Sequence, residues 1–301
     1  MFKRLCFSLC LLLSAVAAQG QTEAESIRLG TYNLRNYLAM DRLVEGQFRL
    51  DYPKPETEKT VVRQAIVAAA PDVLAVQEIG TEAELLELLD DLRQDGLSYS
   101  SHYILEADDD TRRVGALWNE EVQVRPVPHI DLGFNLFDEP MKVKRGMLEL
   151  EVQTGGGLGF SIFILHLKSK YTSDKRDPQS TRRRTKEAHS ARERILEIFP
   201  DPLNSSFLVV GDLNDHRNSS PVRRFLNRGE LEISQILEAK DSSGLIWTHY
   251  YKKGGEYSLL DYMLASSGLV KTFDTSSGIV DRRDYYEGSD HRLVWTDLQL
   301  K

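Results

Sequence analysis

Two short stretches of this chain, residues 73–76 and 207–210, contain nothing but apolar side chains. A half-solvated strand alternates apolar and polar residues, so a short uninterrupted apolar run that ends abruptly in polar residues marks a strand covered on both faces. Such strands need layers above and below them. The remaining pattern supplies those layers. Residues 26–33 alternate at period two through Ile27, Leu29 and Thr31. Helical spacing after Pro55 joins Val61, Val62, Ala65, Ile66 and Ala69 and stops at Pro71, and Thr81 with Glu84 predicts a capping box for a helix through Leu85, Leu88, Leu89 and Leu92 that closes at Gly96. Residues 99–105, 114–118 and 121–127 read as successive strands, and 147–152 with 160–167 as a hairpin about the turn Gly155, Gly156, Gly157. A basic helix over about 180–199 and strands near 245–250, 258–264 and 293–298 complete the set. Roughly ten strands interleaved with three helices place the chain in the α/β class, with two sheets packed together inside helices. No glycine-rich phosphate loop follows the first strand, which disfavours Rossmann and P-loop folds. With no internal repeat and no linker, residues 21–301 read as one domain.

Both cysteines, Cys6 and Cys10, lie in an apolar run over residues 5–13 that follows Lys3 and Arg4. A basic start, an apolar stretch short for a bilayer span and the small residues Ala15, Ala17, Ala18 and Gly20 predict a secretory signal peptide over residues 1–20. Cys10 sits mid-run without small residues just before it, which argues against a lipoprotein anchor. Cleavage after Ala18 or Gly20 leaves a mature chain without cysteine, hence without disulfides, zinc thiolates or a thiol nucleophile. No later stretch approaches the ~18 apolar residues of a membrane span, so a secreted or periplasmic protein is expected, with no stable membrane insertion. The whole chain has 38 Lys and Arg against 46 Asp and Glu, a net charge of −8, which loss of Lys3 and Arg4 makes −10. Residues 168–194 nevertheless carry ten basic and four acidic side chains. That asymmetry points to an anionic partner on one side of the molecule.

The chemically informative residues stand at strand ends. Asn33 closes the first strand and Glu78 the run through Gln77; His166 interrupts 160–167; Asp212 and Asn214 follow 207–210; Asp261 lies within 258–264; Asp290 and His291 precede the last strand. Buried without partners, such groups cost on the order of several kcal/mol each, whereas strands side by side bring their ends to one rim. Singly, most have an ordinary structural reading: a solvated loop glutamate, a turn at 211–214, a satisfied core histidine, an aspartate capping a turn. Their joint order is more specific. Gly211-Asp212-Leu213-Asn214, Leu260-Asp261-Tyr262 and the terminal Ser289-Asp290-His291, following Asn33, Gln77-Glu78 and His166, resemble the endonuclease/exonuclease/phosphatase superfamily over residues 26–300. The resemblance implies the deoxyribonuclease-I-like fold, an α/β four-layer sandwich of two mixed β-sheets flanked by helices, with a divalent-metal site at one rim. Asn33-Leu34-Arg35 is similar to the secreted deoxyribonuclease branch, where abasic-site endonucleases have an acid in place of Arg35, and His166-Leu167-Lys168-Ser169-Lys170 is similar to bacterial secreted members. That branch has an arginine two residues past its metal-binding glutamate, where this chain has Gly80, so phosphoester hydrolysis is implied more firmly than DNA as substrate.

Hydrolysis of a phosphodiester needs a positioned water, neutralisation of the charge growing on the phosphoryl oxygens and help for the leaving oxygen. Magnesium keeps several waters and takes only one or two protein carboxylates. Glu78 and Asp290 fill that requirement, with Mg2+ the expected ion and Mn2+ or Ca2+ the alternatives. The resemblance assigns Asp212 to orient and deprotonate the water, Asn214 to hydrogen-bond a phosphoryl oxygen and Asn33 to hold the metal's ligand shell. His291 backed by Asp261 forms a carboxylate–imidazole pair, and His166 donates to the phosphate or leaving oxygen. Arg35, Lys168, Lys170 and the cluster Arg182, Arg183, Arg184 are the expected substrate-binding cations. Asp108, Asp109 and Asp110 read as a solvated hairpin tip rather than a calcium site, and His129, His189, His216 and His249 receive no role. The expected function is that of a secreted metal-dependent phosphodiesterase, most simply a nuclease acting on DNA or RNA. A sphingomyelinase-type phospholipase and a phosphomonoesterase would use the same site. The lipase reading is weakened because no exposed apolar hairpin is legible, and the complete catalytic set speaks against a binding module that has lost its chemistry. No protein partner is inferred.

Overall fold

The computed structural model describes residues 26–154 and 159–301; the expected signal peptide and the 155–157 turn lie outside the described residues. The chain first lays down β1 (Ser26–Tyr37), β2 (Val73–Ile79), β3 (Ser101–Leu105) and β4 (Arg113–Trp118) in one sheet. It then builds a second sheet from β5 (Gln123–His129), β6 (Met147–Gln153), β7 (Gly159–His166), β8 (Phe207–Asp212), β9 (Gln235–Ile236) and β10 (Asp261–Ala265). It returns to the first with β11 (Phe273–Ile279) and β12 (Val294–Leu300). The strand orders are β11-β12-β1-β2-β4-β3 and β9-β10-β8-β7-β6-β5. Both sheets are mixed, because β1 runs parallel to β2 and β7 parallel to β8 while the other pairs are antiparallel.

The two apolar runs are central strands covered on both faces, and alternate residues divide between two cores. Val73 and Ala75 of β2, with Leu208 and Val210 of β8, fill the space between the sheets together with Leu29, Leu150 and Ile164. Leu74 and Val76 face outward onto Val62 and Ile66 of α1 (Glu56–Ala69) and Leu85 and Leu88 of α2 (Glu82–Gln94). Phe207 and Val209 meet Ala188, Ala191 and Ile195 of α3 (Thr181–Ile198). Each fully buried leucine or valine contributes roughly 1.5–3 kcal/mol relative to exposure, so the helix–sheet–sheet–helix order follows from four apolar faces that must all be covered. Helix ends obey local rules. Thr81 and Glu84 form the reciprocal capping box, and α1 stops at Ala70, whose φ is 46°, just before Pro71. The Asp177 carboxylate accepts the Arg182 and Arg183 N–H groups (3.2 and 2.9 Å) and so caps α3.

Several sequence expectations change. The strand expected over 245–250 shrinks to His249–Tyr251, and the one over 258–264 divides into Glu256–Ser258, its hairpin partner, and β10. β11 has no counterpart in the reading, because it is an edge strand whose Asp274, Thr275 and Ser276 are exposed and leave no alternation to see. Asp109 is not a solvated tip. It is 4% exposed, ion-paired with Arg145 at 3.1 Å, and accepts the N–H groups of Thr111 and Arg112. An exposed apolar hairpin does exist: Met40–Val44 pairs with Gln47–Tyr52, and Leu43, Phe48 and Leu50 are 74, 68 and 72% exposed. Both strands of that hairpin mix charges with apolar residues and bury no face, so it carries no periodic signal. Among the described residues no helix is long and apolar enough to cross a membrane.

Candidate active site

Parallel pairing within each sheet sends the C-terminal ends of β1 and β2, and of β7 and β8, to one rim. On the second sheet the register sets His166 beside Asp212 and Asp212 beside Asp261, a row of three buried residues on adjacent strands. Gly211 makes that row possible. Its φ is +123°, and a Cβ there would collide with the Leu165 carbonyl oxygen of the neighbouring strand. The first sheet contributes Asn33, paired with Gln77, and then Glu78, whose φ is +59°. Left-handed backbone at a non-glycine residue holds a cost that surrounding contacts must offset; here the Asn36 N–H donates to Glu78 Oε2 at 3.0 Å.

A hydrogen bond joins the two sheets at the site, Asn33 Nδ2 donating to Asp212 Oδ2 at 3.1 Å. Asp212 also accepts from Asn214 Nδ2 (3.0 Å) and from the Asn214 N–H (2.8 Å). Burial pushes the Asp212 carboxyl up to about 7. His291 Nδ1 is hydrogen-bonded to Asp261 Oδ2 at 2.8 Å, and its Nε2 lies 3.8 Å from Asp212 Oδ2. Burial alone would lower this imidazole, but the Asp261 and Asp212 carboxylates outweigh it and raise it to about 10. His166 Nε2 lies 3.5 Å from Asp212 Oδ2 and 3.9 Å from Glu78 Oε1; burial, with Arg145 and His291 nearby, drives it well below the ordinary histidine range. One imidazole is thus held protonated and the other neutral on either side of the same carboxylate. Thr248 Oγ1 accepts the Leu260 and Asp261 N–H groups, and Ser289 Oγ donates to the Asn33 carbonyl while accepting the His291 N–H, which fixes both ends of the array.

Three buried side-chain atoms here have no hydrogen-bond partner: His166 Nδ1, His249 Nδ1 and Asp261 Oδ1. Native proteins rarely leave such atoms unpaired, at about 1–3 kcal/mol each, outside sites that bind something. Glu78 and Asp290 are incompletely partnered at partly exposed positions. Apart from the Asn36 N–H on Glu78, their nearest side-chain nitrogens are those of Arg112 and His166 to Glu78, each at 3.9 Å, and Arg35 and His249 to Asp290, at 3.9 and 4.0 Å, all beyond hydrogen-bond length. Two under-partnered carboxylates offering hard oxygens fit a divalent cation. Asp212, Asp261 and His291 also bring donor atoms within 4.8 Å of one another. Hydrogen bonds occupy Asp212, Asp261 Oδ2 and His291 Nδ1 but leave Asp261 Oδ1 and His291 Nε2 open; Glu78 and Asp290, partly exposed and under-partnered, are the residues that would hold the ion, and bound there it would supply charge neutralisation for a phosphoryl oxygen.

The rim therefore gathers Asn33, Glu78, His166, Asp212, Asn214, Asp261, Asp290 and His291. Their expected roles are not all available as drawn. Asn214 Nδ2 donates to the Leu167 carbonyl as well as to Asp212, so both amide hydrogens are engaged, and Asn33 orients Asp212 and the Arg35 N–H. Arg35 sits beside Asp290 and over the Tyr286 ring at 5.2 Å. The basic stretch needs correction. Arg184 is buried, donating to Asp215 at 2.8 and 3.0 Å, so it is structural and not a substrate contact. Arg183 pairs with Glu187 and Arg182 lies over Phe137. The Lys168 ammonium folds back onto its own loop, to the Ser169 and Tyr171 carbonyls. Only Lys170 keeps an exposed side chain lining the site's mouth. The sequence reading passed over Arg112, 3.9 Å from Glu78, and Arg145, whose charge bears on His166; both lie in loops, where they carry no periodic pattern.

Two six-stranded mixed sheets inside helices, with this array at one rim, define the deoxyribonuclease-I-like class of fold. The chain belongs to the endonuclease/exonuclease/phosphatase family, whose profile matches residues 30–291. Members of that family are generally metal-dependent phosphoric ester hydrolases that use divalent ions. Solved structures agree in fold. The human Nocturnin catalytic domain with bound sulfate superposes with TM-score 0.65 at 16% identity, covering 92% of this chain and 95% of that one. Truncated Caenorhabditis elegans TDP2 gives 0.61 at 16% identity over 91 and 97% of the two chains, and a family protein from Bacteroides vulgatus 0.61 at 16% over 92 and 100%. No curated protein sequence matches this chain.

Proposed function

We propose that the protein is an exported, magnesium-dependent phosphodiesterase that hydrolyses nucleic acid. The observation that carries the hydrolytic part is the buried Asp212 carboxylate, where the two sheets meet, with the imidazole nitrogens of His166 and His291 at 3.5 and 3.8 Å. In this reading Asp212 takes a proton from the attacking water, while His291, locked by Asp261, stabilises the negative charge that grows nearby. His166 orients the phosphate or leaving oxygen. Nucleic acid is favoured by the cations at the mouth, Arg35, Arg112 and Lys170, which stand beside the site rather than on α3. Export is supported by the basic start and apolar run of residues 3–13.

The exposed hairpin with Leu43, Phe48 and Leu50 favours a second reading, a lipid phosphodiesterase. Membrane-seeking elements surround their apolar face with Lys and Arg, whereas this hairpin holds Asp41, Glu45 and Asp51 against Arg42 and Arg49, so it ranks second. Mature protein incubated with magnesium and, separately, plasmid DNA, RNA and sphingomyelin vesicles decides between the two. Cleavage of either nucleic acid with intact vesicles is expected. Vesicle hydrolysis alone would move the substrate to lipid, and full activity in excess EDTA would end the metal-dependent reading.

A further inference from the structure

We infer that the nucleotide attacked is unpaired, its base seated in a cleft between the loop after β7 and the hairpin formed by His249–Tyr251 and Glu256–Ser258; this rests on the nucleic-acid reading above. The cleft, about 550 Å³, opens beside Asn214 and His249 and is lined by Lys170, Tyr171 and Thr172 from the loop and by Tyr251 from the hairpin. Tyr171 is 85% exposed and Tyr251 49%. Two exposed aromatic rings flanking one polar cleft are a costly arrangement unless a flat apolar group covers them.

One ring is packed in place and the other is anchored through its backbone. The Lys168 ammonium, bonded to the Tyr171 carbonyl, closes the loop beneath that residue. Tyr251 packs against Gly254, where a Cβ would come within 2.8 Å of the ring's Cδ1, so a larger residue there must push the ring aside. Behind it, Tyr250 and Tyr257 stack with centroids 4.5 Å apart and 23° between planes, and Trp247 lies 4.8 Å from Tyr257. Aromatic faces with an ammonium alongside are how proteins hold unstacked bases without reading sequence. A base in a duplex enters such a cleft only by leaving its stack, at a cost of a few kcal/mol. Lys170 on the loop side opposes a quaternary ammonium, the other group that tyrosines hold well, while Glu256 on the hairpin side attracts one, so the phosphocholine arm of the test below separates the two.

The test measures kcat and KM in magnesium on three oligonucleotides of one sequence: a single strand, the same strand annealed to its complement, and a single strand carrying stable abasic analogues in place of its bases. Wild-type protein is expected to favour the intact single strand over both others by about tenfold or more in kcat/KM. Tyr171→Ala and Tyr251→Ala should each raise KM on the intact strand about tenfold, change kcat less, and have a much smaller effect on the abasic strand. Tyr251→Phe should restore the wild-type values, and Gly254→Ala should give a partial loss. Duplex cut as well as single strand, or equal losses on intact and abasic strands, would overturn the inference while leaving the nuclease reading standing. Cleavage of none of the three, with hydrolysis of bis-p-nitrophenyl phosphate retained, would overturn both. Inhibition by free phosphocholine that Tyr251→Ala relieves would assign the cleft to a lipid head group instead.

Discussion

The two halves of the rim are built differently. On the second sheet His166, Asp212 and Asp261 stand in one cross-strand row, buried and aligned by the backbone ladder itself. On the first sheet side, Glu78 and Asp290 are partly exposed, one on left-handed backbone and the other in the segment before the last strand, each with a guanidinium 3.9 Å away. The second-sheet row is aligned by folding, with His166 Nδ1 and Asp261 Oδ1 still unpaired, and pays for its burial in shifted proton affinities. In the proposed reading the carboxylate pair is completed by the ion it binds. The first is the folding side and the second the loading side, and the substitutions below separate them.

The largest effect is expected on the loading side. Glu78→Gln or Asp290→Asn should remove all measurable turnover, because each deletes one of two charges available to a divalent ion. The metal-free fold should barely notice, since neither carboxylate lies within hydrogen-bond distance of a cationic side chain. Thermal melting with and without magnesium reads this directly. An ion at a hundred times its Kd stabilises by about 2.7 kcal/mol, so wild-type Tm should rise with magnesium and neither variant should follow it. A magnesium shift that survives in both variants would transfer the ion to Asp212, Asp261 and His291.

On the folding side Asp212→Asn should cost ~10²- to 10⁴-fold in kcat, with stability moving the other way. The folded carboxyl is raised to about 7, above its unfolded value near ~3.9. Its stabilising contribution is therefore complete below about pH 4 and lost as pH climbs through about 7. At pH 8 the metal-free variant is expected to melt at or above the wild-type temperature. Near-normal turnover in this variant would remove the row from the chemistry.

A smaller, more local effect is expected at His291. Its imidazole is raised to about 10 against burial by Asp261 and Asp212, so the stability it confers is complete below about pH 6.5 and lost as pH rises through about 10. Asp261→Asn should bring its titration, followed by NMR in metal-free protein, back toward the ordinary range. A His291 that titrates unchanged in this variant would show that the Asp261 carboxylate positions the imidazole without setting its charge.

What was legible in the sequence divides along a different line. The row and the carboxylates Glu78 and Asp290 could all be read, because each stands next to or within an apolar run and their joint order resembles one family. The fold could be read for the same reason. Side chains that act from loops or edges left no trace: Arg112, Arg145, the hairpin with Phe48, and β11 all lack a buried face to impose a period. Arg184 is different, because its signal was present. It shares a helical face with Ala188, Ala191 and Ile195, all buried, at spacings of four, seven and eleven residues. That phase places it on the apolar stripe, where an arginine is buried only with a partner, and Asp215 is that partner.

The smallest expected effect follows from that misreading and tests how far the site's field extends. Arg182 and Arg183 are the remaining candidates on α3. Arg183 is tied to Glu187, and Arg182 stacks on Phe137, beside Arg176 and away from the carboxylates. Each phosphate neutralised contributes ~0.7 to 0.9 to the slope of log affinity against log salt. The pair Arg182→Ala and Arg183→Ala should therefore leave that slope nearly unchanged for a nucleic-acid substrate, whereas Arg35→Ala should reduce it by about one such step. The measurement uses Glu78→Gln protein, so that binding is read without turnover. Arg184→Ala cannot serve as the control. Removing one partner of a buried ion pair costs ~3–5 kcal/mol, and any loss would report unfolding of the α3 end rather than a missing contact. A full step lost in the Arg182/Arg183 variant would put the substrate's path along α3, and the mouth cations Arg35, Arg112 and Lys170 would then be only part of a longer track.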